Sequence, residues 1–564
     1  MPDASTHSFL LLPATFDIHS PSSASALAVT LEPVTTQLAQ NKSLRERLGN
    51  DDTLWNHLQK LWHDLSRAQL TFWDNDDSDD EDNAAEQEKQ KQASLRMLSA
   101  SLARFTRNLV AGVPHNQAKA FETEPSIRRL LHYYTSWSFL EDPEGRHCPE
   151  EPADLKPRQP FLLAAFYLRR WQILSLETMR SSPNSGAHTC VFQRIKSCSC
   201  ARLLASPDPR TLLAALILIL NCVEGSRPRI KMLTRTVIGV RICICLLDNM
   251  VKLYEAEEGT DEARAFDIGY TIFSKIMGVD LVPSLFNRLE VADEIITPHQ
   301  TTLLKLIDSY LQSASMSQVP TTPQGTPLYS KLRPMLSKTF FVLSEYAQTS
   351  IRTSLNLGKG TPTTTNSESS LGSLDVMLPK ACEALVLVTQ CIVTVILGGA
   401  GMEQPSQEYF NEAKSGDTGI LESLTELLRL LDLFLPRINF GKPVTDPGRT
   451  QPTSVGVGDA NSKAHVNDTG FNYLKRDLVR LLGILCHENK AVQDRARLCG
   501  GIEAVMNLCV VDERNPYLRE HAILALHNLL QGNPENQAVV DSIQPSGKWD
   551  DNGVYRQTAG AVRK

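Results

Sequence analysis

Leu518, Ala522, Ala525 and Leu529 recur at i, i+4, i+7 and i+11, the apolar stripe of one α-helical face. The same stripe stands 44 positions earlier as Leu474, Leu478, Leu481 and Leu485, and 420 positions earlier as Leu98, Leu102, Phe105 and Leu109. Two of the stripes run into nearly the same segment. Asn528–Ala538 reads NLLQGNPENQA and Asn108–Ala118 reads NLVAGVPHNQA, identical at seven of eleven positions. The third copy keeps Asn489 where the last has Asn533, and Gln493 where it has Gln537. A period of 44 residues falls within the ~40–47 expected of HEAT and armadillo repeats.

The C-terminal block predicts one repeat in detail. Tyr473–Cys486 reads as a long helix, Ala491–Leu498 as a short one, and Ile502–Val510 as a second. Tyr517–Gln531 is the long helix again, with Pro516 suited to a first helical position. Gly500 and Gly501 supply the tight joint that side chains would resist. Short, medium and long helices around such a joint make an armadillo unit rather than the two-helix HEAT unit. Within the doubled motif, Gly112 and Gly532 fit a helix stop. Asn116-Gln117 and Asn536-Gln537 are read as repeat-structural, with the Asn capping free N–H groups of a short helix.

Elsewhere helical patterning covers Leu31–Trp73, with Trp55, Leu58, Trp62 and Leu65 clustered, and resumes after residue 92. Strand-type alternation is essentially absent. The expected fold is all-α: an armadillo-like helical-repeat solenoid with disordered acidic and Ser/Pro-rich loops. The expected order is an N-terminal helical region (1–73), an acidic loop (74–92), repeats over 93–440 with insertions at 312–330 and 358–373, a linker (441–470), a C-terminal domain (471–543) and a flexible tail (544–564). Insertions at loops between repeats cost little, because loop-closure entropy grows slowly with length.

Charge changes the picture only locally. The net charge is −7, but Asp74–Glu88 holds nine acidic residues, so the remainder sums to about +2. No basic stripe of the kind that binds phosphate backbones stands out, and no nucleic-acid partner is expected. Of the twelve cysteines, Cys222, Cys243, Cys245, Cys391, Cys486 and Cys509 sit in apolar helical runs, as small buried hydrophobes of a reduced compartment. The N-terminal MPDASTHSFLLLPATF lacks a basic region and is not read as a secretory signal. Ala384–Met402 is nineteen residues without a charge, long enough for a membrane span. Its Thr389, Gln390 and Thr394 and its GGAG ending favour a helix buried inside the repeats, so no membrane insertion is expected.

Arg476–Gln537 resembles the C-terminal domain of the ataxin-10 family. The resemblance rests on the RD-L--L run, the N---QD----GGI segment, the D--NP--RE-A pattern and the closing NLL-GN-ENQ. RNLVAGVPHNQ resembles the family's N-terminal armadillo region. Where the family usually writes GNLC, this chain has Gly483-Ile484-Leu485-Cys486. The resemblance implies a cytoplasmic, non-catalytic scaffold that binds other proteins and regulates cytokinesis. In armadillo proteins an Asn in the third helix faces the concave groove and clamps a peptide backbone; the candidates here are Asn108, Asn221 and Asn528, with the ladder broken at Ile484.

No GxSxG, HExxH or Walker A motif occurs, and no enzyme activity or cofactor is expected. His188, Cys190, Cys198 and Cys200 form the candidate metal cluster. Their spacing matches no common structural zinc pattern, which favours ordinary cysteines at a loop-to-helix boundary. Some fungal relatives carry a copper-transport name, and metal handling is the alternative function. Thr322, Thr326 and Thr361 each precede proline and Ser78 lies in SDDED, which makes these four candidate phosphorylation sites.

Overall fold

The protein is seen here as a computed structural model that describes residues 17, 20–70, 81–137, 197–316, 330–355, 357, 375–398, 406–435, 437–439, 442–443, 469–542, 547–549 and 555–557. The chain divides into two compact units, Met1–Arg288 and Leu289–Lys564.

The first unit opens with α1 (Pro21–Gln40), α2 (Lys42–Gly49), α3 (Asp52–Leu70), α4 (Glu81–Val110), α5 (Pro114–Ala120) and α6 (Glu124–Trp137). It continues with α7 (Ser197–Leu204), α8 (Pro209–Val223), α9 (Arg227–Arg235), α10 (Val237–Leu253), α11 (Asp261–Gly278) and α12 (Val282–Arg288). Several starts are written in the sequence. The side chains of Ser20, Asn41, Asp208, Thr236 and Thr260 each accept from the N–H three residues on, a donor the helix itself leaves unpaired. Long helices pack on long helices, α1 on α4 and α8 on α11, while α3 packs on α6, α7 on α10, and the short α9 on the short α12. Trp55 and Trp62 are fully buried; Trp55 Nε1 donates to the Gly49 carbonyl at 2.8 Å and Trp62 Nε1 to Thr106 Oγ1 at 3.4 Å.

The second unit contains α13 (Pro298–Met316), α14 (Leu332–Ser354), α15 (Leu378–Gly398), α16 (Ser406–Glu412), α17 (Ile420–Phe434), α18 (Leu474–Cys486), α19 (Lys490–Leu498), α20 (Gly501–Asn507), α21 (Leu518–Leu530) and α22 (Pro534–Ser542). The row α13, α15, α18, α21 packs in sequence, with α14 on α17 beside it. Each unit is thus a stack of armadillo-type repeats, and the all-α expectation holds. All three leucine-rich stripes are core: none of their twelve residues exceeds 1% exposure. Gly500 has φ +78°, the left-handed joint between α19 and α20.

The apolar run of α15 is buried against α13, α14 and α18. By length and composition it is long and apolar enough to cross a membrane, and 67% of that window is packed inside the protein.

Some boundaries differ from expectation. Helix α4 already begins at Glu81, so residues 81–92 of the stretch read as an acidic loop are helical. Its Ala- and Gln-rich start has good helix propensity, and the helix is anchored by its packing on α1. Likewise α13 runs to Met316, into the insertion read at 312–330. Helix α21 spans Leu518–Leu530 where Tyr517–Gln531 is expected, because Tyr517 adopts φ +64°, and Pro516 lies before the helix. The tail read as flexible contains an antiparallel pair, β5 (Gly547–Trp549) with β6 (Tyr555–Gln557). Two smaller antiparallel pairs join β1 (Lys414–Ser415) to β2 (Thr418–Gly419) and β3 (Ile438–Asn439) to β4 (Lys442–Pro443).

Candidate functional site

The doubled motif is where an armadillo repeat is tied to its neighbour. The last carbonyls of a helix have no N–H partner inside it. Asn536 Nδ2 donates to the carbonyl of Leu529 at 2.8 Å, and Gln537 Nε2 to that of Leu530 at 2.8 Å, each seven residues back. Asn116 and Gln117 do the same to Leu109 (2.9 Å) and Val110 (3.1 Å). These amides therefore satisfy carbonyls of the preceding long helix rather than capping N–H groups. The N–H cap falls to Asn533, whose Oδ1 accepts from the Asn536 backbone at 3.2 Å.

The same amides reach one repeat further back. Asn536 Nδ2 also donates to Gln493 O at 3.2 Å, as Asn116 Nδ2 does to Arg45 O at 2.8 Å. Asn528 Nδ2 donates to Gly483 O at 3.0 Å, as Asn108 Nδ2 does to Thr35 O at 2.8 Å. Acceptors in the earlier repeat lie 448 positions apart in the two copies (Thr35 to Gly483, Arg45 to Gln493), against 420 within the motif. The N-terminal copy is therefore longer by 28 residues. They fall in the extra length of α3 and α4 (19 and 30 residues, against 7 and 13 for α20 and α21), offset by one residue in α2 (8, against 9 for α19).

Asn108 and Asn528 are half-exposed, each with one N–H committed to the neighbouring long helix. Asn221 is half-exposed near the end of α8. Ile484, at the position where the ladder breaks, is also half-exposed. Side chains of α13, α15, α18 and α21 that the sequence did not mark as site residues complete this face in the second unit. Gln390 of α15 donates to Asp477 Oδ2 at 2.8 Å, and Asp477 is gripped by Arg476 through Nε (2.7 Å) and Nη2 (3.0 Å). Burial, then Arg480 and Arg476, hold the His521 imidazole below its usual pKa. Burial raises the Asp308 carboxyl, and Asp477 adds to the rise.

Other ties carry no motif in the sequence or reach beyond the one they belong to. Gln407 Nε2 donates to the carbonyls of Ile484 (3.0 Å) and His487 (3.0 Å), while Gln493 Nε2 donates to Asn528 (2.8 Å) and Gln531 (3.5 Å). The acceptor pairs are one 44-residue period apart. Lys475 is 1% exposed; its Nζ donates to Leu435 O at 3.0 Å and lies 3.5 Å from Asp432 Oδ1. Burial pushes this ammonium below its usual pKa, and Asp432 and Asp512 oppose the shift. Asp512 and Asn515, in the turn before α21, bind the Ile438 N–H (3.2 Å) and the Lys475 N–H (3.1 Å). Arg495 clamps Glu422 with two bonds of 2.9 and 2.8 Å.

Residues 474–561 match the family model described as the spinocerebellar ataxia type 10 protein domain. The chain carries an ataxin-10 family domain. It holds α18 to α22, both stripes of the C-terminal block and the Asn528–Asn536 ties. Over 87 residues the chain is 39% identical to the ataxin-10 homolog of Dictyostelium discoideum, covering 15% of this chain and 14% of that one. The Kluyveromyces lactis ataxin-10 homolog is 37% identical over 79 residues, or 14% and 15%. Ataxin-10 of Xenopus tropicalis is 32% identical over 132 residues, or 23% and 24%. The chain thus covers a quarter or less of the length of these relatives. A crystal structure of SYS-1 aligns over 94% of this chain and 99% of that one, at 10% identity and a TM-score of 0.25, too loosely to bear on the geometry.

Of the metal candidates, His188 and Cys190 lie outside the described residues, as do Ser78, Thr322, Thr326 and Thr361. Cys198 and Cys200 lie in α7, and burial, with Cys222 adding to it, pushes the Cys200 thiol up to about 12, which disfavours the thiolate a metal needs. Among the described residues no three His, Cys, Asp or Glu side chains converge as a metal site.

Proposed function

We propose that the protein is a non-catalytic scaffold that binds other proteins, works in the cytoplasm and regulates cytokinesis. The ataxin-10 domain at residues 474–561 is the observation that carries this reading. Its supporting geometry is the half-exposed face of the long helices in the second unit, where Gln390, Arg480, His521 and Asn528 offer donors and acceptors to an extended partner. Asn528 serves twice in this reading: one N–H holds the neighbouring repeat, and its remaining N–H and Oδ1 face the partner.

The test is depletion in dividing cells, with rescue by the intact chain or by Asn528→Ala, alongside affinity capture and mass spectrometry. Cytokinesis failure on depletion, rescued by the intact chain, supports the assignment. Normal division after full depletion removes the cytokinesis reading, and capture of no specific protein removes the scaffold reading.

A further inference from the structure

A second surface lies in the first unit, on the short helix α9. From Gly225 to Leu247 the chain has five cations, Arg227, Arg229, Lys231, Arg235 and Arg241, and no acid. Arg227, Lys231 and Arg235 are all exposed and stand four residues apart, which places them in one row along the helix. Lys231, Arg235 and Arg241 have no ion pair among the described residues; Arg235 Nε donates instead to Ser284 Oγ on α12 at 3.1 Å. The flanking acid Glu224 is already held by Lys275 at 2.7 Å, and Asp261 lies 3.6 Å from Arg210 and 3.5 Å from Arg264. Glu224 and Asp261 are thus engaged by cations outside this row.

We infer that the exposed face of α9 binds an extended, acidic protein segment with carboxylates at alternate positions. Four residues of helix advance about 6 Å. Two residues of an extended chain advance about 6.6 Å. The three cations of the row therefore meet successive same-side carboxylates of a strand laid along the helix. A nucleic acid fits less well. The row spans only about 12 Å of helix, room for few phosphates. None of the exposed large side chains on α9 or its junction with α10 is aromatic to stack on bases; the nearest is Val237. This surface is separate from the long-helix face proposed above, so either can fail alone.

The experiment uses the full chain and two fluorescein-labelled peptides of equal composition, one with Asp and Ser alternating and one with the Asp residues in a single block. The alternating peptide is expected to bind at least about fivefold more tightly, and to weaken as salt approaches about 0.5 M. Arg227→Glu with Lys231→Glu and Arg235→Glu should cost at least about tenfold, while Lys252→Glu on α10 should change binding less than about twofold. The neutral triple to Gln should fall between, and an unchanged circular-dichroism spectrum verifies its fold. Equal binding of the two peptides, or full binding by the charge-reversed triple, overturns the inference. Tighter binding of a single-stranded RNA of equal charge overturns it in favour of nucleic acid.

Discussion

The side-chain amide of Asn528 donates to the backbone carbonyl of Gly483, 45 residues earlier, at 3.0 Å. This bond crosses from one long helix to the next, and Asn108 repeats it on Thr35. Asn528→Ala and Asn108→Ala should each lower unfolding free energy by about 1–2 kcal/mol, the worth of one partly buried hydrogen bond and its orphaned acceptor. Urea denaturation measures this directly. A variant of unchanged stability would mean that the bond contributes nothing to the stack.

Asn116 and Asn536 make equivalent bonds in different corners. Arg497 Nη1 donates to Asn536 Oδ1 at 2.8 Å. Gly49 stands at the matching place beside Asn116, whose buried Oδ1 meets no donor. Replacing each Asn by Asp exchanges an N–H donor for an oxygen facing two carbonyls. Asn116→Asp should cost more than about 3 kcal/mol, as an unpaired buried charge, and Asn536→Asp measurably less because Arg497 is there. Equal losses in thermal unfolding would contradict the assignment of Arg497. Gly49→Ala should be severe as well, since the added Cβ overlaps the Asn116 amide.

A Cβ on Gly483 would lie 2.9 Å from both Cα and Cβ of Ala525. Gly483→Ala should therefore cost about 1–3 kcal/mol by overpacking. Adding Ala525→Gly should recover part of that loss in a double-mutant cycle. Leu485→Ala and Leu529→Ala, at fully buried positions, should cost about 2–5 kcal/mol each.

His521 stays neutral in the fold to a lower pH than in the unfolded chain. As pH falls through the ordinary value of 6.5, the unfolded chain takes up a proton that the folded one refuses. Stability then drops with acidification and regains its full value above that pH. Melting temperature followed from pH 8 to pH 5 should fall less steeply in His521→Gln than in the parent. Parallel curves would show that His521 does not contribute to the acid loss.

The repeat was legible because its signals are local. A stripe at i, i+4, i+7 and i+11 is a property of one helix, and the Asn-Gln pair acts on carbonyls seven residues back. What escaped were contacts between distant segments with no shared wording. Gln407 does for α18 what Gln493 does for α21, yet QEYFN has no likeness to the motif. Nothing in the sequence around Lys475 marks it as buried; only the fold brings the Leu435 carbonyl and Asp432 to it. The role of Asn116 was read with the wrong polarity, because Asn both accepts and donates and sequence alone does not choose between the two.

The seven-residue back-bonds also decide where this chain can be shortened. The long helix α21 ends at Leu530, yet its Leu529 and Leu530 carbonyls accept from Asn536 and Gln537 of α22, and Leu530 also from the Asn533 N–H. A fragment cut at Leu530 would keep every leucine of its stripe and still leave Leu529 and Leu530 reaching for absent amides. The natural seam lies one short helix later, after Ser542. An armadillo unit in this protein is best trimmed in the register of its hydrogen bonds, which is offset by a helix from the register of its hydrophobic repeat.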